Sequence, residues 1–312
     1  MICFPNAKIN LGLHIVSRRQ DGYHNLETVF YPIGLKEALE IVPIIPDRNS
    51  AYGNSIAGST VLSNAAPAPD TQGLPAASDA ESALTRPYRF FQSGNVMQGR
   101  EEDNLVIKAL KLMAASHHIP NIDIHLLKKI PSGAGLGGGS SDAAFMLRLL
   151  NDSFGLGYTD RELARLGTQL GADCPFFIYN KPAFATGIGE TLEPLDISLS
   201  DLFLVLVKPQ VTVSTREAYA MITPHTPEVS LKEIVKKPLS EWKEQMKNDF
   251  ETPVFKKYPE ICTIKQQLYD LGAAYASMSG SGSSVYGFFH TEPDLKDIFS
   301  KHFVWTNKEG FK

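Results

Sequence analysis

Cysteine is scarce in this chain: Cys3, Cys174 and Cys262 are the only three among 312 residues, widely scattered and odd in number. Such usage excludes a disulfide framework and suits free thiols in a reducing compartment. No Cys/His spacing suggests a zinc site. Long apolar runs are missing too. The longest obvious one, Leu202–Val207, is far too short to span a bilayer. There is no basic block and the net charge is −4, which argues against nucleic acid or an anionic membrane as partner. The first eight residues, Met1–Lys8, lack a basic segment followed by an apolar run, so no signal peptide is expected and the cytoplasm is the expected location. Oligomeric state is not legible at this level.

What is abundant is glycine in one place. Pro131-Ser132-Gly133-Ala134-Gly135-Leu136-Gly137-Gly138-Gly139-Ser140-Ser141-Asp142 carries five glycines in seven residues, leaving backbone N–H groups free to close around an anion. Ile122–Leu126 before it alternates like a strand. Ser141–Leu150 after it reads as a helix capped by Ser140 or Ser141. A strand, a glycine loop and a helix N-terminus together make a phosphate cradle, since orphan N–H groups and the positive dipole end face the anion. Gly133-x-Gly135-x-x-Gly138 matches the dinucleotide fingerprint formally, but no acidic residue ends a second strand about 20 positions on. The Walker pattern also fails, because no Gly-Lys-Ser/Thr follows. A phosphate binder of a third type is the better reading.

At this length two domains are expected. Residues 7–16 alternate, with Ala7, Ile9, Leu11, Leu13 and Ile15 on one face and Lys8, Asn10, Gly12 and His14 on the other, which predicts a half-buried strand. Asp21-Gly22 is a hairpin signal. Residues 47–87 are rich in Ala, Ser, Asn, Pro and Gly without periodicity and read as a flexible surface insertion. Asp103-Asn104 caps a helix, and Thr159–Glu162 forms a capping box opening another that Gly171 ends. Pro175 is expected to hold Cys174 extended, placing Asp173 in a loop between helix and strand. The composition resets after a boundary near residue 195. There, Leu202–Val207, a helix from Thr215, a helix from Pro259, and strands flanking Ser279–Ser283 predict a second α+β domain. That Ser/Gly loop is as readily a plain hairpin turn as a site.

Pro5-Asn6-Ala7-Lys8-Ile9-Asn10, the glycine loop and Met278-Ser279-Gly280-Ser281-Gly282, in this order, resemble the GHMP kinases, small-molecule kinases with a glycine loop but no Walker lysine. Asp21-Gly22-Tyr23-His24 and Leu170-Gly171-Ala172-Asp173-Cys174-Pro175-Phe176-Phe177 resemble the branch acting on a cytidine diphosphate methylerythritol in non-mevalonate isoprenoid synthesis. The resemblance implies a two-domain α+β fold. Its N-terminal domain, 1–195, would be of the ribosomal-protein-S5-domain-2-like type and its C-terminal domain, 196–312, ferredoxin-like, with the site in the cleft between. It implies ATP as co-substrate, with Mg²⁺ inferred from the nucleotide although no metal motif is visible.

By the same resemblance Asp173 is the base toward the acceptor hydroxyl and Lys8 orients and stabilises charge. Asn104 would lie at the adenine end, and Pro131, Ser132, Gly133, Ala134, Gly135, Leu136, Gly137, Gly138, Gly139, Ser140 and Ser141 would hold the triphosphate. Asn10, Tyr23, His24, Phe30 and Tyr219 would contact the substrate, Tyr219 against an Arg216-Glu217 context that departs from the family pattern. Homoserine or mevalonate kinases are alternatives with no need of a cytidine slot; a dinucleotide-dependent oxidoreductase is a more distant one.

Overall fold

The computed structural model describes residues 1–44, 87–95 and 99–308; the insertion expected at 47–87 lies, Pro87 apart, outside them. In chain order come β1 (Ile2–Cys3), β2 (Asn6–Arg18), β3 (His24–Lys36), β4 (Ala38–Pro43), β5 (Tyr88–Gly94), α1 (Leu105–Ala114), β6 (Ile122–Lys128), α2 (Gly138–Phe154), α3 (Asp160–Thr168), α4 (Cys174–Tyr179), β7 (Ala183–Thr186) and β8 (Thr191–Pro194). They are followed by β9 (Phe203–Lys208), α5 (Thr215–Ala220), α6 (Leu231–Ile234), α7 (Leu239–Gln245), α8 (Glu251–Lys257), α9 (Pro259–Asp270), β10 (Tyr275–Met278), β11 (Val285–Phe289) and β12 (Phe303–Thr306).

The strands form three four-stranded sheets, ordered β1-β4-β6-β5, β2-β3-β7-β8 and β10-β11-β9-β12. In the first, β5 runs parallel to β6, and α1, α2 and α4 supply the apolar cover. The last sheet is antiparallel throughout, and its spatial order is second, third, first and fourth strand of the segment, the ferredoxin-like order anticipated for it. Between β11 and β12 turns replace a second helix, and Phe299 seals that corner.

The prediction of a half-buried β2 is corrected. Asn6 to Ile15 are all buried. Ala7, Ile9 and Leu11 pack into a core shared with Leu204, Leu206, Tyr275 and Tyr286 of the last sheet. The polar face is covered as well, because Leu136 of the glycine loop accepts from the Lys8 N–H at 3.0 Å and the Ser279 hydroxyl from the Asn10 N–H at 3.2 Å. Alternation reports two chemically different faces; whether the second one meets water is decided by the rest of the chain.

Two local expectations also change. Neither Ser140 nor Ser141 caps α2, which starts at Gly138 after Gly137 in a left-handed conformation at φ +71°. Asp173 lies between two helices: Pro175 sits in the first turn of α4, where a missing N–H costs nothing and the fixed φ suits a helix. The Asn104 cap on α1, with Oδ1 accepting from the Val106 N–H at 2.9 Å, and the Thr159–Glu162 capping box on α3 form as expected.

Candidate active site

The glycine loop is shaped by three left-handed residues, Gly133, Gly135 and Gly137, at φ +59°, +73° and +71°. Alternating handedness turns successive N–H groups inward, which makes an anion-binding concavity. The second Ser/Gly loop holds it in place. Ser279 Oγ donates to the Gly135 carbonyl at 2.8 Å, the Ser284 N–H reaches the Ala134 carbonyl at 3.2 Å, and Asn248 Nδ2 grips the Met278 and Gly280 carbonyls, both at 2.8 Å. The loop at 279–283 is therefore a clamp on the glycine loop as well as a hairpin connection. A Cβ at Gly135 would stand 2.0 Å from the Ser279 carbonyl oxygen, a backbone group with nowhere to go. Gly135→Ala is expected to cost about a hundredfold in kcat/KM for ATP, measured by steady-state kinetics, because it pushes loop and clamp apart by an ångström or so.

Beside the loop, Lys8 Nζ lies 3.4 Å from Asp173 Oδ2, with side-chain exposures of 5% and 29%. Lys8 also donates to Asn10 Oδ1 at 2.5 Å, and its ammonium sits 4.8 Å from the centre of the Phe30 ring. Asn10 is held in turn by Thr28, whose hydroxyl accepts from Nδ2 at 3.0 Å. Asp173 occupies the N-cap position of α4 but makes no side-chain cap bond, so its carboxylate is left for Lys8. Both groups open on a cavity of about 1260 Å³, larger than a single small ligand needs.

At another part of that cavity His24 stacks on Tyr219, ring centres 5.1 Å apart and 24° from parallel, with exposed Tyr23 also on the lining. Burial, with a smaller effect from Arg18, lowers the His24 pKa and favours the neutral imidazole. Burial, helped by the charge of Asp173, pushes the Tyr219 phenol up to about 12.

The N-terminal part of the chain, residues 104–181, matches the model for the GHMP kinases N terminal domain, and 230–303 matches that for GHMP kinases C terminal. A 4-diphosphocytidyl-2-C-methyl-D-erythritol kinase of Parabacteroides distasonis is 51% identical, the match covering 98% of each chain. The chain belongs to the 4-diphosphocytidyl-2-C-methyl-D-erythritol kinase family, within the GHMP kinases. A crystal structure of 4-(cytidine 5'-diphospho)-2C-methyl-D-erythritol kinase superposes with a TM-score of 0.73 at 28% identity, covering 98% of both chains. The mevalonate kinase of Methanococcus jannaschii, at TM-score 0.64 and 14% identity over 98% and 97%, shares the fold.

On this GHMP kinase frame the expected site residues are placed unevenly. Lys8, Asn10, Tyr23, His24, Phe30, Pro131–Ser140, Asp173 and Tyr219 line the one cavity. Ser141 and Asn104 are not on its lining. Ser141 is fully buried, with no hydrogen-bond partner for its hydroxyl among the described residues, and Leu105 presents the cavity wall next to the Asn104 cap.

One functional group had no signal in the sequence. Lys128, on the lining, is fully buried and donates to Glu37 at 2.7 Å and to Asp142 at 2.6 Å. Glu37 Oε1 also accepts from the Ile130 N–H at 3.3 Å, so the triad braces the entrance to the glycine loop. One lysine between two buried carboxylates leaves a surplus negative charge. Burial, reinforced by Asp142, pushes Glu37 up to about 8 from an ordinary 4.5; burial also raises Asp142 from 3.8. The folded state thus holds protons that the unfolded chain releases above pH about 4.5. Unfolding free energy should fall as pH rises from about 5 through about 8, with the slope removed in part by Glu37→Gln. Urea titrations across that range measure it.

Proposed function

We propose that this chain transfers the γ-phosphate of ATP to the 2-hydroxyl of 4-diphosphocytidyl-2-C-methyl-D-erythritol, a step toward isoprenoid precursors. The observation that carries the reading is that the glycine loop, the Lys8–Asp173 pair and the His24–Tyr219 stack all face one cavity. Residues 1–195 would form the ATP-binding domain and 196–312 its partner across the cleft.

In this reading the inward N–H groups of 132–140 hold the phosphates, with Pro131 leading into the loop, replacing the role of a Walker lysine. Asp173 receives the proton of the acceptor hydroxyl, and Lys8, fixed by Asn10, keeps that carboxylate oriented and offsets negative charge that develops in flight. Phe30, beneath the Lys8 ammonium, shields the pair from water. The cytosine base lies against the His24–Tyr219 stack, with Tyr23 closing over it. Stacking of this kind is worth about 1–3 kcal/mol per base. Asn104 acts on the adenine end through the wall that its capped helix positions.

Mg²⁺ prefers phosphate oxygens, water and few protein ligands. The residues present suit that: Ser140 lines the cavity and would be the hydroxyl nearest the phosphates, whereas the Ser141 hydroxyl is buried. The ion would screen the phosphate charges. Action in the cytoplasm belongs to the same proposal; among the described residues no helix is long and apolar enough to cross a membrane.

The test is ADP release from Mg·ATP with the cytidine substrate, homoserine or mevalonate offered in turn. Turnover with the cytidine substrate alone is expected. Turnover with homoserine or mevalonate instead would overturn the substrate assignment and leave the fold untouched.

A further inference from the structure

Away from the cleft floor, one ring nitrogen each from His14 and His225 and one carboxylate oxygen from Asp249 lie within 4.8 Å of one another. We propose that His14, His225 and Asp249 form a binding site for one divalent transition-metal ion of the zinc class, tying the cleft wall that precedes His225 to β2.

The three groups are fixed before any ion arrives. His14 is part of β2, and the other two are tied to its neighbours in that strand: the His225 N–H donates to the Ile15 carbonyl at 2.9 Å and the Asp249 N–H to the Leu13 carbonyl at 2.8 Å. The Ile15 N–H in turn holds Asp249 Oδ2 at 2.8 Å. The carboxylate stands between the rings, Oδ1 at 3.2 Å from His14 Nδ1 and Oδ2 at 3.2 Å from His225 Nε2. Ligands about 2.0–2.2 Å from a tetrahedral ion stand roughly 3.3–3.5 Å apart. Each ring nitrogen is already 3.2 Å from one carboxylate oxygen, so a turn of the carboxylate that brings one oxygen to both rings, with closure of the widest pair, completes the site.

The donor set then selects the ion. Two imidazoles and a carboxylate suit zinc, cobalt or nickel and not magnesium, and three protein ligands leave a fourth position for water. His14 is buried, whereas the His225 side chain is 53% exposed, which provides the entry path. Ile222, Thr223 and Pro224, immediately before His225, line the cleft, so an ion here would stiffen that wall.

Zn²⁺ titration of the untagged full chain in a Cys262→Ser background, which removes an exposed thiol, tests the site by calorimetry and by competition with a chromogenic chelator. One equivalent should bind, excess Mg²⁺ should not displace it, and Co²⁺ should give the intense visible bands of four-coordination. His225→Ala should weaken binding by about a hundredfold or more, as loss of a direct ligand exceeds the effect of an outer-shell one. Asp249→Asn, which keeps an acceptor for the Ile15 N–H, should do the same with an unchanged circular dichroism spectrum. Hydrogen exchange of 221–226 should slow with Zn²⁺ in the parent chain alone. Absence of one-equivalent binding in the parent, or binding unchanged in His225→Ala, would overturn the proposal and leave the three groups a hydrogen-bonded seam.

Discussion

Asp173→Asn should keep its affinity for ATP and lose turnover by about 10²- to 10⁴-fold, the usual reach of a positioned acid or base. The carboxylate lies 3.4 Å from Lys8 Nζ and makes no cap bond of its own, so the isosteric amide disturbs no fold contact but cannot take a proton. Lys8→Met should lose a comparable factor, because the ammonium both orients Asp173 and answers developing negative charge. The double variant should be little worse than either single one, as groups acting as a unit are strongly non-additive. Single-turnover kinetics with ATP in excess separate this loss from a binding defect. A double variant whose loss equals the product of the two would mean that the residues act independently.

The largest effect on stability is expected at Lys128→Met. Removing the ammonium leaves two buried carboxyl groups facing each other with their shared cation gone: Lys128 Nζ is 2.7 Å from Glu37 Oε2 and 2.6 Å from Asp142 Oδ2, and Asp142 Oδ1 has no hydrogen bond among the described residues. Breaking a buried ion pair from one side costs about 3–5 kcal/mol, and neutralising the remaining partners recovers much of it. Urea unfolding at pH 7 should therefore show a large drop for Lys128→Met and a smaller one for Lys128→Met with Glu37→Gln and Asp142→Asn. Since the triad braces the glycine loop through Ile130, the single variant should also bind ATP less well. Equal stability for the single and triple variants would refute the electrostatic explanation.

Local chemistry was well legible. The glycine loop, the Asn104 cap, the Thr159 capping box and the strands flanking Ser279–Ser283 follow from short-range rules and stand where the sequence puts them. The failures share a cause. Pro175 satisfies two rules at once, holding the preceding residue extended and opening a helix, and the cover over Cys174 and Phe176 favours the helix. The polar face of β2 carries no mark of the loops that bury it. Lys128 pairs with Glu37 across 91 positions and with Asp142 across 14, and no spacing rule links such residues. His14, His225 and Asp249 likewise meet only because two distant segments dock on one stretch of β2.

If the proposed function holds, one cavity takes ATP at the glycine loop and a cytidine diphosphate at the aromatic stack, side by side, with Lys8 and Asp173 between. Calorimetric titration of CDP into protein saturated with a non-hydrolysable ATP analogue and Mg²⁺ tests it directly. CDP should bind at one equivalent without displacing the analogue, and Tyr219→Ala should weaken CDP alone. Mutually exclusive binding would contradict it.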